Sequence, residues 1–321
     1  MKKILFFIFS ITMLPIYAFA YSDFIIPGGD TIGITIQSDG ILVTGFYKIK
    51  GKYNKSPLKA GDYILEVEDN LVYSLDELTN LIEKYKNQDK IKIKYRRNEK
   101  TYEGDIKLQY EDNVYKTGLY VKDSITGCGT LTYIDPQTKI YGALGHEIIE
   151  SSTNEIIEIK QGDIFENKIT SITKSYDGHP GSKNSVFNVN KIYGDIRKNT
   201  KVGIYGKYTD ELPDKTLLKV SSPEDVKIGN ASIMTVIDGQ DIKSYDVEIT
   251  NINEESKTKN ITFKIVDKEL LSKTGGVIQG MSGSPIIQND NIIGAVTHVK
   301  VDDVTGGYGV FITTMLEEGE N

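Results

Sequence analysis

The sequence predicts a mainly β chain in two units: a small α+β module, then a larger all-β body. Three observations point there. Short β-branched and aromatic runs recur along most of the chain, punctuated by Gly, Pro, Asn and Asp. One segment, beginning near residue 75, departs from them with the apolar spacing of a helix. At 321 residues, 39% hydrophobic and 26% charged, the chain is globular and long enough for two domains.

Lys2-Lys3 precedes an apolar stretch at 4–20 that ends in Ala18-Phe19-Ala20. That is the form of an export signal, either cleaved after Ala20 or kept as a membrane anchor. In both cases the folded part lies outside the cytoplasm and close to a membrane. The formal net charge of −7 argues against a nucleic-acid surface. The basic segment 90–97 alternates with apolar residues and reads as one solvated strand face. A single Cys128 excludes an internal disulfide. Paired-Cys metal sites and glycine-rich nucleotide loops are missing, so neither metal nor cofactor is expected.

The first unit spans 24–108. Strand-like runs at 32–37 and 41–46 lead through a polar loop to Ala60-Gly61-Asp62, a strand at 63–67 and a hairpin at Asp69-Asn70. Ser74 with Glu77 forms a capping box, opening a helix with Leu75, Leu78, Leu81 and Ile82 on one face. Strands at 91–96 and 101–108 close the unit. This order resembles a PDZ domain, which holds a peptide as an added strand and caps its carboxylate with an apolar-Gly-apolar loop. The matching phrase is Ile32-Gly33-Ile34. The other reading of Gly33 is relief of a crowded strand start.

The second unit, 109–321, carries β-like runs at 129–134, 168–173, 231–237, 246–250, 261–266, 277–278, 292–299 and 309–313, the pattern of a sandwich or barrel with no long helix. Its chemistry centres on Gly280-Met281-Ser282-Gly283-Ser284-Pro285. Acyl transfer by a serine needs a base, a group that orients the base, and donors for the oxyanion. Glycine at 280 lets its N–H and that of Ser282 converge on one oxygen. The phrase resembles Gly-Asp-Ser-Gly-Gly-Pro of chymotrypsin-like proteases, which implies a double β-barrel and a nucleophile at Ser282. By the same analogy Thr297, His298 and Val299 run beside bound substrate, with Gly309 near the pocket wall.

Only three histidines can supply the base. His179 sits in a surface turn phrase and His298 in the strand after the serine. His146, in a small-residue turn, precedes the serine as the chymotrypsin-like order requires.

The phrases GTLTYIDPQTKIYGALGHEI, GGVIQGMSGSPIIQNDNIIGAVTHV and GGYGVFI, behind IPGGDTIGI, resemble the SpoIVB peptidases of endospore-forming bacteria. The resemblance runs from Phe24 onward. It implies an exported serine endopeptidase that acts between the forespore membranes as a signal to the mother cell. It also implies His146 as base, Ser282 as nucleophile and Asp267 as acid. Asp163, Asp177 and Asp195 are the alternatives if the acid lies elsewhere. The short 21–24 segment leaves little room for the self-cleavage sites of relatives. Partners are then a protein or peptide substrate and either a PDZ ligand or a second copy. Two other classes remain: a non-catalytic peptide-binding scaffold, and a cell-wall hydrolase, which lacks suitably paired carboxylates.

Overall fold

The computed structural model describes residues 21–321. The expected export segment lies outside the described residues. Among those described, no helix is long and apolar enough to cross a membrane.

Two closed barrels form the body. The first is built from β2 (Thr31–Phe46), β6 (Leu119–Ile134), β7 (Ile140–Ala143), β8 (Ile159–Thr173), β9 (Ser182–Asp195) and β10 (Gly203–Lys207). β2 pairs with both β6 and β8; β6 with β7, β7 with β10, and β8 with β9. A bridge from Gly194 to Tyr208 closes the ring. The second barrel comprises β11 (Gly229–Val236), β12 (Ile242–Ile252), β13 (Ile261–Ile265), β14 (Pro285–Gln288), β15 (Asn291–Val299) and β16 (Gly306–Phe311). Its ring runs β11-β12-β13-β16-β15-β14 and back to β11. Closure removes the unpaired edges that an open sheet would expose.

Each barrel fills with its own β-branched and aromatic side chains: Ile32, Ile34, Ile36, Tyr141 and Ile164 in the first, Ile233, Tyr245, Ile249, Phe263 and Ile286 in the second. A third cluster joins them. Ile25, Tyr133 and Tyr205 meet Ile292, Ala295 and Val310, and the C-terminal helix lays Ile312, Met315 and Leu316 across the seam. That helix (Ile312–Glu320) takes over the last two residues of the predicted 309–313 strand, whose first three lie in β16.

The small module matches expectation where its signals are local. Strand β3 (Tyr63–Val67) has the expected bounds, and β4 (Lys90–Arg97) and β5 (Lys100–Lys107) lie within a residue of theirs. In α1 (Leu75–Lys84), Ser74 Oγ accepts from the Glu77 N–H at 3.2 Å, and the Glu77 carboxylate accepts from the N–H of Ser74 at 3.1 Å. Leu78 is buried against Ile41, Val43, Ile64 and Ile93.

The module begins later than Phe24. Strand β1 (Phe24–Pro27) pairs with β6, Ile26 opposite Ile134. The expected strands at 32–37 and 41–46 are one bent strand, β2, whose first half belongs to the first barrel and whose second half pairs with β3. The two units therefore share a strand.

Met315 is fully buried in the seam, with Tyr133 Oη donating to its carbonyl at 3.2 Å. Met315→Ala should cost about 2–5 kcal/mol, read as a lower denaturation midpoint. A change below about 0.5 kcal/mol, the size of a surface substitution, would mean that the helix does not close the seam.

Candidate active site

The first barrel delivers His146. After β7 the chain passes through Leu144 and Gly145, both at φ 69°, a left-handed pair that turns it sharply. A Cβ on Gly145 would lie 2.9 Å from Thr297 Cγ2 and 3.2 Å from the Val296 carbonyl oxygen, so the turn presses directly on the second barrel. Leu144 tolerates its strained conformation because its side chain is locked in the barrel core. His146 Nδ1 lies 2.7 Å from the Glu147 carbonyl oxygen. A carbonyl only accepts, so Nδ1 carries the proton and Nε2 keeps a free lone pair. Burial lowers the His146 pKa, opposed by Glu147, so the ring is neutral at pH 7.

The second barrel delivers Ser282. Between Ile278 and β14 the chain folds on itself: Met281 N–H donates to Ile278 O, Gly283 N–H to Val296 O and Ser284 N–H to Met281 O. The N–H groups of Gly280 and Ser282 have no acceptor among the described residues. Gly280 adopts φ 93°, a conformation that favours glycine. The Ser282 hydroxyl donates to the Thr297 carbonyl at 2.8 Å. Ser284 is fully buried, and its hydroxyl has no partner among the described residues.

His146, Gly280 and Ser282 line one cavity of about 400 Å³ between the barrels. Its other walls are mostly apolar, with Ile125, Leu144, Ile148, Val277 and Ile278 among them. Thr130 clasps the two loops together. Its N–H donates to Ser282 O at 2.9 Å and its hydroxyl to Gly280 O at 2.8 Å, while its carbonyl accepts from Leu144 N–H at 3.3 Å. Thr132 Oγ1 adds a bond to Gly283 O at 2.8 Å.

Thr297, His298 and Val299 line the same cavity. The His298 ring stands 5.0 Å from that of His146. Desolvation against the wall, then the neighbouring His146 and Lys259, push its pKa down to about 4. His179 instead stacks on Tyr176 in an outer turn, with ring centroids 4.6 Å apart.

Three expectations are corrected. Gly309 is buried within the second barrel opposite Val296, where a Cβ would lie 2.7 Å from Ile286 Cδ1, and it does not reach the cavity. Ile32, Gly33 and Ile34 are no carboxylate loop: Gly33 is paired to Cys128 on one side and Phe165 on the other, so this stretch has no open edge for a peptide. The glycine is needed because a Cβ would lie 2.1 Å from the Phe165 ring. Asp267, finally, is the N-cap of the helix α2 (Lys268–Thr274), accepting from Leu270 N–H at 2.8 Å. It is not brought to His146, whose Nδ1 is oriented by a backbone carbonyl instead. The alternative carboxylates are elsewhere as well: Asp195 binds Arg197 and Lys207 N–H, Asp177 lies by Val304 N–H, and Asp163 pairs across to Asp195. Lys183, which the sequence did not single out, is buried beneath Gly280.

A family model described as SpoIVB peptidase S55 matches residues 113–316, and a PDZ domain model matches 31–108. Among solved structures, the PDZ domain of the SdrC-like protein Lmo2051 from Listeria monocytogenes is 29% identical over 27% of this chain and 93% of that one, with a TM-score of 0.23. The active form of the Rv3671c protease from M. tuberculosis is 17% identical over 61% of this chain and 73% of that one, with a TM-score of 0.35. Its inactive form is 16% identical over 60% and 85%, with a TM-score of 0.33. No curated protein matches.

As a cap, Asp267 should be replaceable by Asn with activity and stability kept, since Asn caps as well as Asp. Asp267→Ala should cost about 1 kcal/mol of stability and leave turnover unchanged. A large loss of turnover in Asp267→Asn, with the fold intact, would restore the aspartate to the chemistry.

Proposed function

Because the chain belongs to the SpoIVB peptidase S55 family, we propose that Ser282 is the nucleophile and His146 the general base of this serine peptidase. The observation that carries the reading is the meeting, in one cavity, of a neutral imidazole with a free Nε2, a serine hydroxyl, and two unpaired N–H groups. Ser282 Oγ turns from the Thr297 carbonyl and gives its proton to His146 Nε2 as it attacks the scissile carbonyl carbon. The oxyanion so formed is bound by the N–H groups of Gly280 and Ser282. His146 then passes the proton to the leaving amine. Water, deprotonated by the same ring, releases the acyl group and restores the serine. The carbonyl of Glu147 takes the orienting role that a carboxylate fills in a triad.

Substrate lies extended beside residues 297–299, and the aliphatic walls favour apolar side chains next to the cleaved bond. The enzyme works outside the cytoplasm, between the forespore membranes, cleaving a protein to signal to the mother cell. Support for that role comes from the long motifs shared with the family and from Lys2-Lys3 ahead of the apolar 4–20. Deleting the gene in its host should then silence late mother-cell expression; unaffected expression would contradict the assigned role.

The chemistry is tested with a fluorophosphonate probe, which labels only an activated serine. Ser282→Ala should abolish labelling. Ser284→Ala should keep it and lose no stability, because it removes a buried hydroxyl that has no partner. The reverse pattern would shift the nucleophile by two residues. The acid limb of the labelling rate should fall below pH 6.5, the ordinary histidine value, since burial depresses the His146 pKa. A midpoint above 6.5 would contradict a buried neutral base.

A further inference from the structure

Lys183 is a buried lysine with no carboxylate partner among the described residues. Its Nζ donates to Thr235 Oγ1 at 2.9 Å and lies 3.5 Å from Thr130 Oγ1. Thr130 in turn donates to the Gly280 carbonyl at 2.8 Å. The lysine stem packs against Gly280 so closely that a Cβ there would lie 3.0 Å from Lys183 Cδ. The backbone of the same residue also acts on this loop. Lys183 N–H donates to the Gln279 carbonyl at 3.0 Å, and Gln279 N–H to Gly181 O at 2.8 Å. In a trans peptide the C=O and N–H point to opposite sides. Fixing Gln279 O on the β9 side therefore turns the Gly280 N–H the other way, where it has no acceptor among the described residues.

We propose that Lys183 is a positioning residue for the peptidase reaction, bracketing the Gly280 oxyanion donor with its backbone on one side and the Thr130 hydroxyl on the other, and setting its ammonium charge behind the oxyanion. The inference rests on the assignment of Ser282 and Gly280 above. A buried ammonium without a counter-ion is costly to keep, and a methionine or leucine would fill the space more cheaply. A charge behind a developing oxyanion, in a site poor in water, acts strongly on the barrier.

Burial lowers the Lys183 pKa to about 7, with Cys128 the one opposing group. Among the described residues, Cys128, on β6, is also the one titratable group that acts on it. Burial raises the thiol's pKa, so it is neutral there. The other groups against Lys183 are the hydroxyls of Thr130 and Thr235 and the backbone of Gly280. The ammonium is thus present below about pH 7 and lost above it. The labelling rate of the parent should rise through the His146 pKa and decline above pH 7.

The test is the pH profile of fluorophosphonate labelling of the full chain, with the site mapped by mass spectrometry. Lys183→Met should lower the rate roughly tenfold or more and lose the alkaline decline, while melting at or above the parent temperature. Lys183→Gln keeps a donor without the charge. It should label at an intermediate rate, again with no alkaline decline, and it carries the test if the methionine variant does not fold. A parental rate in Lys183→Met, or an alkaline decline retained in either variant, overturns the proposal. Absence of label on Ser282 in the parent would instead overturn the nucleophile assignment.

Discussion

Thr130 is one residue on one strand, and both halves of the active site hang from it. Its N–H and hydroxyl hold the carbonyls of Ser282 and Gly280, and its carbonyl holds the N–H of Leu144. The Gly280–Ser282 backbone and the turn that presents His146 are therefore set from a single point in the first barrel. Gly283 makes this contact feasible: a Cβ there would lie 2.0 Å from the Thr130 carbonyl oxygen. The glycines of the Ser282 phrase thus do more than turn a corner. Gly283 lets the second barrel approach the first, and Gly280 leaves room for the Lys183 stem.

The architecture serves that contact. Two closed barrels are stiff, and the apolar seam under the C-terminal helix fixes one against the other. His146 comes from one barrel and Ser282 from its neighbour, so the apolar seam sets how the two face each other. The small module is tied to the same frame. β2 runs from the first barrel into the module without a break, and Leu75 N–H at the start of α1 donates to Asp123 of β6 at 2.8 Å. β6, the strand that carries Thr130, thus also borders the module.

What was legible in the sequence was local. The capping box at Ser74, the leucines of α1 and the turn at Ala60-Gly61-Asp62 depend on neighbours within a few residues, and each was read in place. Ser282 and His146 came from phrases long enough to carry a family resemblance. Pairings between distant strands were not legible. Ile32-Gly33-Ile34 was read as a loop at an open edge because nothing nearby tells that β6 and β8 cover both sides. The burial of Gly309 opposite Val296 is likewise set by distant strands. Asp267 carries a local signal of its other role: Asp followed by Lys-Glu-Leu-Leu and closed by Gly275, here in a left-handed conformation, marks a capped helix. Lys183 had no such signal, since a lysine in a polar strand reads as solvated until the fold places Gly280 upon it.

The central claim is that the Thr130 clasp makes Ser282 reactive. Thr130→Val keeps the shape and the backbone bonds but removes the hydroxyl that holds the Gly280 carbonyl. The most direct measurement is the rate of fluorophosphonate labelling of Ser282 in this variant, beside its melting temperature. The expected rate is at least about tenfold lower, on the order of 1.4 kcal/mol of barrier, in a protein that remains folded. Labelling at the parental rate would contradict it.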